Sequence, residues 1–111
     1  MTTSPLLLVL LGSLLGAAGQ VLLKLGATGA TRLSDFANIR IAAGFLIYGI
    51  GSILWVMALS KLPLSRVYPF TILTFLVVYV ASFALLGEPV SAAVMLGAAL
   101  IVTGLIVISV A

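Results

Sequence analysis

The stretch "PLLLVLLGSLLGAAGQVLLKL", residues 5–25, decides how the rest of the chain is read. Its only polar side chains are Ser13, Gln20 and Lys24. A helix crosses the hydrocarbon core of a bilayer with about 20 apolar residues, which is the length of this run. Three more runs of similar length and character follow, at residues 39–59, 67–86 and 92–110. Spanning β-strands would be shorter and would alternate polar with apolar residues, and none of these segments does.

Composition agrees. The chain has 111 residues, of which 64% are hydrophobic and 6% charged, and its mean hydropathy is +1.46. Five basic and two acidic side chains cannot cover the surface of a water-soluble domain of this size. The sequence therefore predicts an all-α integral membrane protein, one domain over residues 1–111, with four transmembrane helices in an up-down bundle. Little chain is left for a soluble domain or an enzyme module. A signal-peptide reading of the first run is disfavoured: it has no basic leading segment, its apolar stretch is long, and three more spans follow. With no cysteine or histidine and no acidic cluster, metal and thiol chemistry lack ligands, and no cofactor is expected. The net charge of +3 is scattered over loops and helix ends, so no nucleic-acid surface is expected.

The connections are short. Residues 26–38 join the first two spans through glycines and small polar residues. Residues 60–66 follow, with Pro63 stopping a helix, and residues 87–91 come last, where Pro89 suits the first turn of the final helix. An even number of spans puts both termini, Lys61 and Arg66 on one side of the membrane, and Lys24, Arg32 and Arg40 on the other. So small a bias gives the positive-inside rule little to act on. Either one orientation is mildly preferred, or copies insert both ways and pair antiparallel.

Within the first span Ser13, Gly16, Gln20 and Lys24 recur every three or four residues, which sets them on one helical face. A polar stripe belongs in the bundle interior or along a cavity, because lipid cannot satisfy it. Lys24 has two open readings: a snorkelling anchor whose stem lies in the apolar layer, or a ligand. Arg40 and Glu88 share its membrane side. They form either a charge-compensated rim or a headgroup site, with two cations for a phosphate and a carboxylate for a second group. In the third span Pro69 disturbs the helix start, and Tyr68, Thr71 and Thr74 descend one face with Ser82 deeper. Tyr48, Ser52 and Trp55 of the second span can meet them. Set against this, span-end aromatics often anchor at the interface, and Ser and Thr hydroxyls often bond their own helix. Small residues let helices approach closely in lipid. Gly97 and Gly104, with Ala93 a turn before, mark the last helix as a packing element between subunits.

Taken together these residues resemble the small multidrug resistance proteins of the drug/metabolite transporter superfamily. The likeness covers the whole chain: four spans, a lysine closing the first, "LP" ahead of "SRVYP", "LLGEPVS" before the last helix, and paired glycines inside it. The resemblance implies an antiparallel dimer, a site built from the first three helices of both subunits, and a binding role for Tyr68. One feature departs: multidrug members carry a membrane glutamate in the first span, and Gly16 occupies that position here. A buried carboxylate is what binds a proton and an organic cation in turn, and the spans of this chain hold no acid.

A nearer resemblance is to the aminoarabinose-phosphoundecaprenol flippase subunits of the same superfamily. It rests on Gly19-Gln20 followed by Lys24, Leu54-Trp55, Tyr68-Pro69, and Glu88-Pro89-Val90-Ser91. It implies a lipid flippase of the bacterial inner membrane that moves a polyprenyl-phosphate-linked sugar by alternating access. Lys24 or Arg40 would bind the phosphate and Glu88 an amino group. Gln20, Ser13, Tyr68 and Thr71 would line the path for the sugar. The expected partners are the glycolipid, membrane lipid, and a second subunit, as a homodimer or a heterodimer. The competing functions are a multidrug-type exporter and a non-transporting accessory subunit.

Overall fold

A computed structural model describes residues 4–111. Four helices in it are long and apolar enough to cross a membrane: Pro5–Ala27, Ile39–Leu59, Leu64–Ala84 and Ala92–Val110. We call the first two α1 (Pro5–Ala27) and α2 (Ile39–Leu59). The third span is composite: α3 (Leu64–Val67), a 3₁₀ turn over Tyr68–Phe70, then α4 (Thr71–Ala84). The last is α5 (Ala92–Val110).

The ends follow local chemistry. Proline at the first position starts α1, where a missing N–H costs nothing. α1 runs two residues past the expected Leu25, and the Thr28 hydroxyl donates to the Lys24 carbonyl at 2.7 Å to close it. Asn38 then joins α1 to α2. Its side-chain oxygen accepts from the Ile41 amide at 3.0 Å, and its amide donates to the Gly26 and Asp35 carbonyls, each at 3.0 Å.

Both ends of the third span move as well. The third span begins at Leu64 and ends at Ala84, ahead of the expected 67–86. Pro63 is the N-cap and starts this helix as well as stopping the previous one. Pro69 then replaces α-helix by 3₁₀ geometry for three residues, since it has no N–H to give the Ser65 carbonyl. Pro89 does not open the last helix. Ser91 does, its hydroxyl accepting from the Val94 amide at 3.2 Å, because a side-chain cap satisfies a donor that proline only omits. Pro89 belongs to the connection, beside Gly87 at φ +66°. That left-handed turn is one glycine adopts without strain.

α1 and α2 form the most extensive contact, and glycines set their spacing. A Cβ on Gly12 would meet the Gly51 carbonyl at 2.8 Å, and one on Gly19 the Gly44 carbonyl at 2.9 Å. One on Gly26 would meet the Ile41 amide at 2.9 Å. The two antiparallel backbones therefore touch along their full length, as association in lipid requires. An apolar cluster of Leu8, Val9, Ala58 and Val67 locks α1, α2 and α3 together at one membrane face. α4 packs next on α1, while α5 touches the rest at few points and buries no residue. The molecule measures 42 × 38 × 20 Å, so its thin dimension is about two helix diameters.

Candidate functional site

Two cavities follow the polar face of α1. The deeper, of about 300 Å³, lies between α1, α2 and the third span. Ser13, Gly16 and Gln20 line it from α1, Tyr48, Ser52 and Trp55 from α2, and Tyr68, Thr71 and Thr74 from the third span.

Ser13 is the node of this cavity. It is 2% exposed, its hydroxyl accepts from the Trp55 indole N–H at 3.3 Å, and its carbonyl accepts from the Thr74 hydroxyl at 3.0 Å. One residue thus ties α1 to both neighbours. Gly12 permits this: with no side chain at position 12, the Trp55 ring lies against α1 and its nitrogen reaches Ser13. The sequence placed Thr74 on the right face but gave no sign that it bonds across to α1. Ser52 and Ser82 bond their own helix, donating to the Tyr48 carbonyl at 3.0 Å and the Val78 carbonyl at 2.8 Å. Gly16 differs from its neighbours: a Cβ there meets nothing within 4 Å, so the α1 wall is open at this position.

The second cavity, about 460 Å³, opens at the membrane face where α1 ends. Lys24 and Thr28, Arg40, and Glu88 line it, with Leu85 and Leu86 as its apolar floor. It therefore gathers Lys24, Arg40 and Glu88, the three charged groups of the headgroup reading, and leaves out Arg32. Gln20 sits one helical turn, about 6 Å, below Lys24, so the two cavities follow each other along one helix face. The other acid is occupied. Asp35 accepts from the Thr31 and Arg32 backbone amides at 3.0 and 2.9 Å and from the Thr31 hydroxyl at 3.3 Å. These bonds hold its carboxyl below the usual carboxylate range, the Thr31 amide contributing most.

This arrangement offers cations and a carboxylate at one membrane face, then a neutral, hydroxyl-rich passage into the membrane. No acid, histidine or cysteine lines the passage among the described residues. Gly97 and Gly104 take no part. A Cβ on either meets nothing within 4 Å among the described residues, which leaves that face of α5 bare.

Comparison with known proteins gives a consistent answer. No family model matches the chain, and no solved structure does. Among curated proteins, it is 34% identical over 108 residues to a probable 4-amino-4-deoxy-L-arabinose-phosphoundecaprenol flippase subunit ArnE of Serratia proteamaculans, covering 94% of each chain. The corresponding ArnE of Klebsiella pneumoniae is 34% identical over 98 residues, 86% of this chain and 88% of that one. A probable subunit ArnF of Erwinia tasmaniensis is 42% identical over 67 residues, 59% of this chain, and the match spans about half of that relative, 53%. With that identity running nearly end to end across the same four spans, the chain belongs to the family of aminoarabinose-phosphoundecaprenol flippase subunits ArnE and ArnF.

Proposed function

We propose that this chain is one subunit of a flippase that carries a polyprenyl-phosphate-linked aminosugar across the bacterial inner membrane by alternating access. One observation carries the reading: the charged cavity of Lys24, Arg40 and Glu88 and the polar cavity of Gln20, Ser13, Tyr68 and Thr71 lie one after the other along α1. The relatives, whose names describe transport of such a lipid, support it.

The division of labour follows from the side chains. Lys24 and Arg40 give the phosphate charge-assisted hydrogen bonds. Glu88 takes the sugar's amino group as an ion pair, close enough to the cations that one headgroup satisfies all three. Gln20, Tyr68 and Thr71 offer hydrogen bonds to sugar hydroxyls, and Ser13, held by Trp55 and Thr74, fixes the passage's shape. The polyprenyl chain stays in lipid, so only the headgroup needs a polar route. No covalent bond changes, which makes the protein a transporter and not an enzyme.

A slab 20 Å thick cannot enclose a headgroup alone. The relatives are described as subunits, and the bare Gly97–Gly104 face of α5 suits a second four-helix chain, a copy or a homologue. Dual insertion would place that partner antiparallel. The multidrug alternative lacks its central group, since Gly16 leaves open the wall where the exporters' acid would stand.

The test is reconstitution. Proteoliposomes containing this chain, alone and with a co-expressed family partner, should move an aminoarabinosyl phosphoundecaprenol from one leaflet to the other, read as amine accessible to a membrane-impermeant reagent. No movement in either case, with folded protein, would return the chain to the accessory-subunit reading.

A further inference from the structure

The third span divides two spaces. Tyr68, Thr71 and Thr74 face the polar cavity, while Pro69, Phe70, Ile72 and Leu73, interleaved with them in sequence, line a separate cavity of about 860 Å³. This second space is a groove between the first turns of the third span and the last turn of α5, with Leu6 of α1 at its edge. Its walls are apolar, and its polar groups are Ser65, Arg66 and Ser109. Arg66 is exposed and lies at the membrane face opposite Lys24, Arg40 and Glu88, one span away from each in the alternation of helices.

We propose that this groove holds the first isoprene units of a polyprenyl phosphate, with the phosphate on Arg66, as the station for the transported lipid at the second membrane face; the inference rests on the flippase reading above. Three observations carry it. A lipid that changes leaflet needs a phosphate ligand at both faces, and Arg66 is the cation bordering a cavity at this one. A sugar phosphodiester carries one negative charge, which a single guanidinium matches with paired donors. The groove and the polar cavity are separated by one wall, so a chain in the groove delivers its headgroup to Tyr68 and Thr71 round the Tyr68–Phe70 turn. That wall is also the weakest part of the span, since Pro69 interrupts its hydrogen bonding and short 3₁₀ insertions commonly mark hinges. This adjacency favours the transported lipid over a bulk phospholipid as the occupant.

The probe is undecaprenyl phosphate, which has the tail and the phosphate without the sugar. Binding to the full chain in phosphatidylcholine nanodiscs is measured by native mass spectrometry in a Lys24→Met, Arg40→Gln background, which removes both phosphate ligands of the opposite face. We expect Arg66→Gln to weaken binding tenfold or more, Arg66→Lys to restore part of it, and Leu73→Trp to weaken it by filling the groove. Thermal stability should be unchanged in each. Excess phosphatidylglycerol should compete at least tenfold less well. Unchanged binding in both Arg66→Gln and a stably folded Leu73→Trp would overturn the proposal, as would one-for-one displacement by phosphatidylglycerol. So would a Leu73→Trp that separates subunits while lipid binding persists, because the groove would then be a joint between chains. If wild-type protein ignores the aminosugar lipid but Arg66 still governs undecaprenyl phosphate, the sugar assignment fails and the groove stands.

Discussion

Gly16 and Gly19 lie three residues apart in α1, yet an added methyl should affect them oppositely. At Gly19 a Cβ would sit 2.8 Å from the Tyr48 amide nitrogen and 2.9 Å from the Gly44 carbonyl oxygen. Both are backbone atoms of α2, so no side chain can rotate away and the helices must separate. Overpacking of this kind costs about 1–3 kcal/mol. Alanine recovers about 0.5–1 kcal/mol through its better helix propensity, which leaves Gly19→Ala destabilised by up to about 2.5 kcal/mol. At Gly16 no atom lies within 4 Å of the new methyl, so only the propensity gain remains and Gly16→Ala should be neutral or slightly stabilising. Equilibrium unfolding in mixed micelles, followed by Trp55 fluorescence, compares the pair directly. Equal stabilities for the two variants would mean that α1 and α2 do not meet along the glycine seam, and the polar cavity beside it would lose its frame.

Three further outcomes follow from the same geometry. Asp35 has a lowered folded-state pKa, so its capping bonds contribute above the ordinary carboxylate pKa and are lost as pH falls through the lower, folded value. The Thr31 and Arg32 amide resonances should therefore shift together only below the pH at which a free aspartate titrates, and Asp35→Asn should abolish that titration. Single cysteines at Gly97 or Gly104 should cross-link between subunits in higher yield than cysteines at Val102 or Ile106, and equal yields would remove α5 from the interface. A reporter fused to the C-terminus should appear on both sides of the membrane, and two lysines added near the N-terminus should collect it in the cytoplasm; a single orientation in the unmodified chain would end the dual-insertion reading.

The spans were legible because hydrophobic length is read from composition alone, and the second and fourth runs coincide with α2 and α5. The third began earlier than expected because Ser65 and Arg66 read as loop residues. At a membrane surface a charged side chain can occupy the first helical turn and still reach water. Ser91 against Pro89 was a competition between two local start signals, decided by a hydrogen bond. The polar face of α1 was legible from spacing. Its pairings were not: Ser13 meets Trp55 across 42 residues and Thr74 across 61, and no local pattern encodes which faces meet. Nor could spacing separate Gly16, which opens the cavity, from Gly12 and Gly19, which close the helix seam. The groove beside Arg66 depends on how α5 leans from the third span, and α5 carries no polar stripe that marks one face.

The most direct test of the central claim is the affinity of purified protein for aminoarabinosyl phosphoundecaprenol in wild type, Lys24→Met and Lys24→Arg, with thermal stability measured alongside. A hydrogen bond from a charged donor contributes about 1.5–3 kcal/mol, and each 1.4 kcal/mol is a factor of ten in affinity. Lys24→Met, which keeps the stem and removes the charge, should therefore bind tenfold or more weakly with its stability intact. Lys24→Arg should recover only part of the loss, because a planar guanidinium does not reproduce a compact ammonium. Full affinity in both variants would show that Lys24 only anchors the helix, contradicting a headgroup site at the cavity it shares with Arg40 and Glu88.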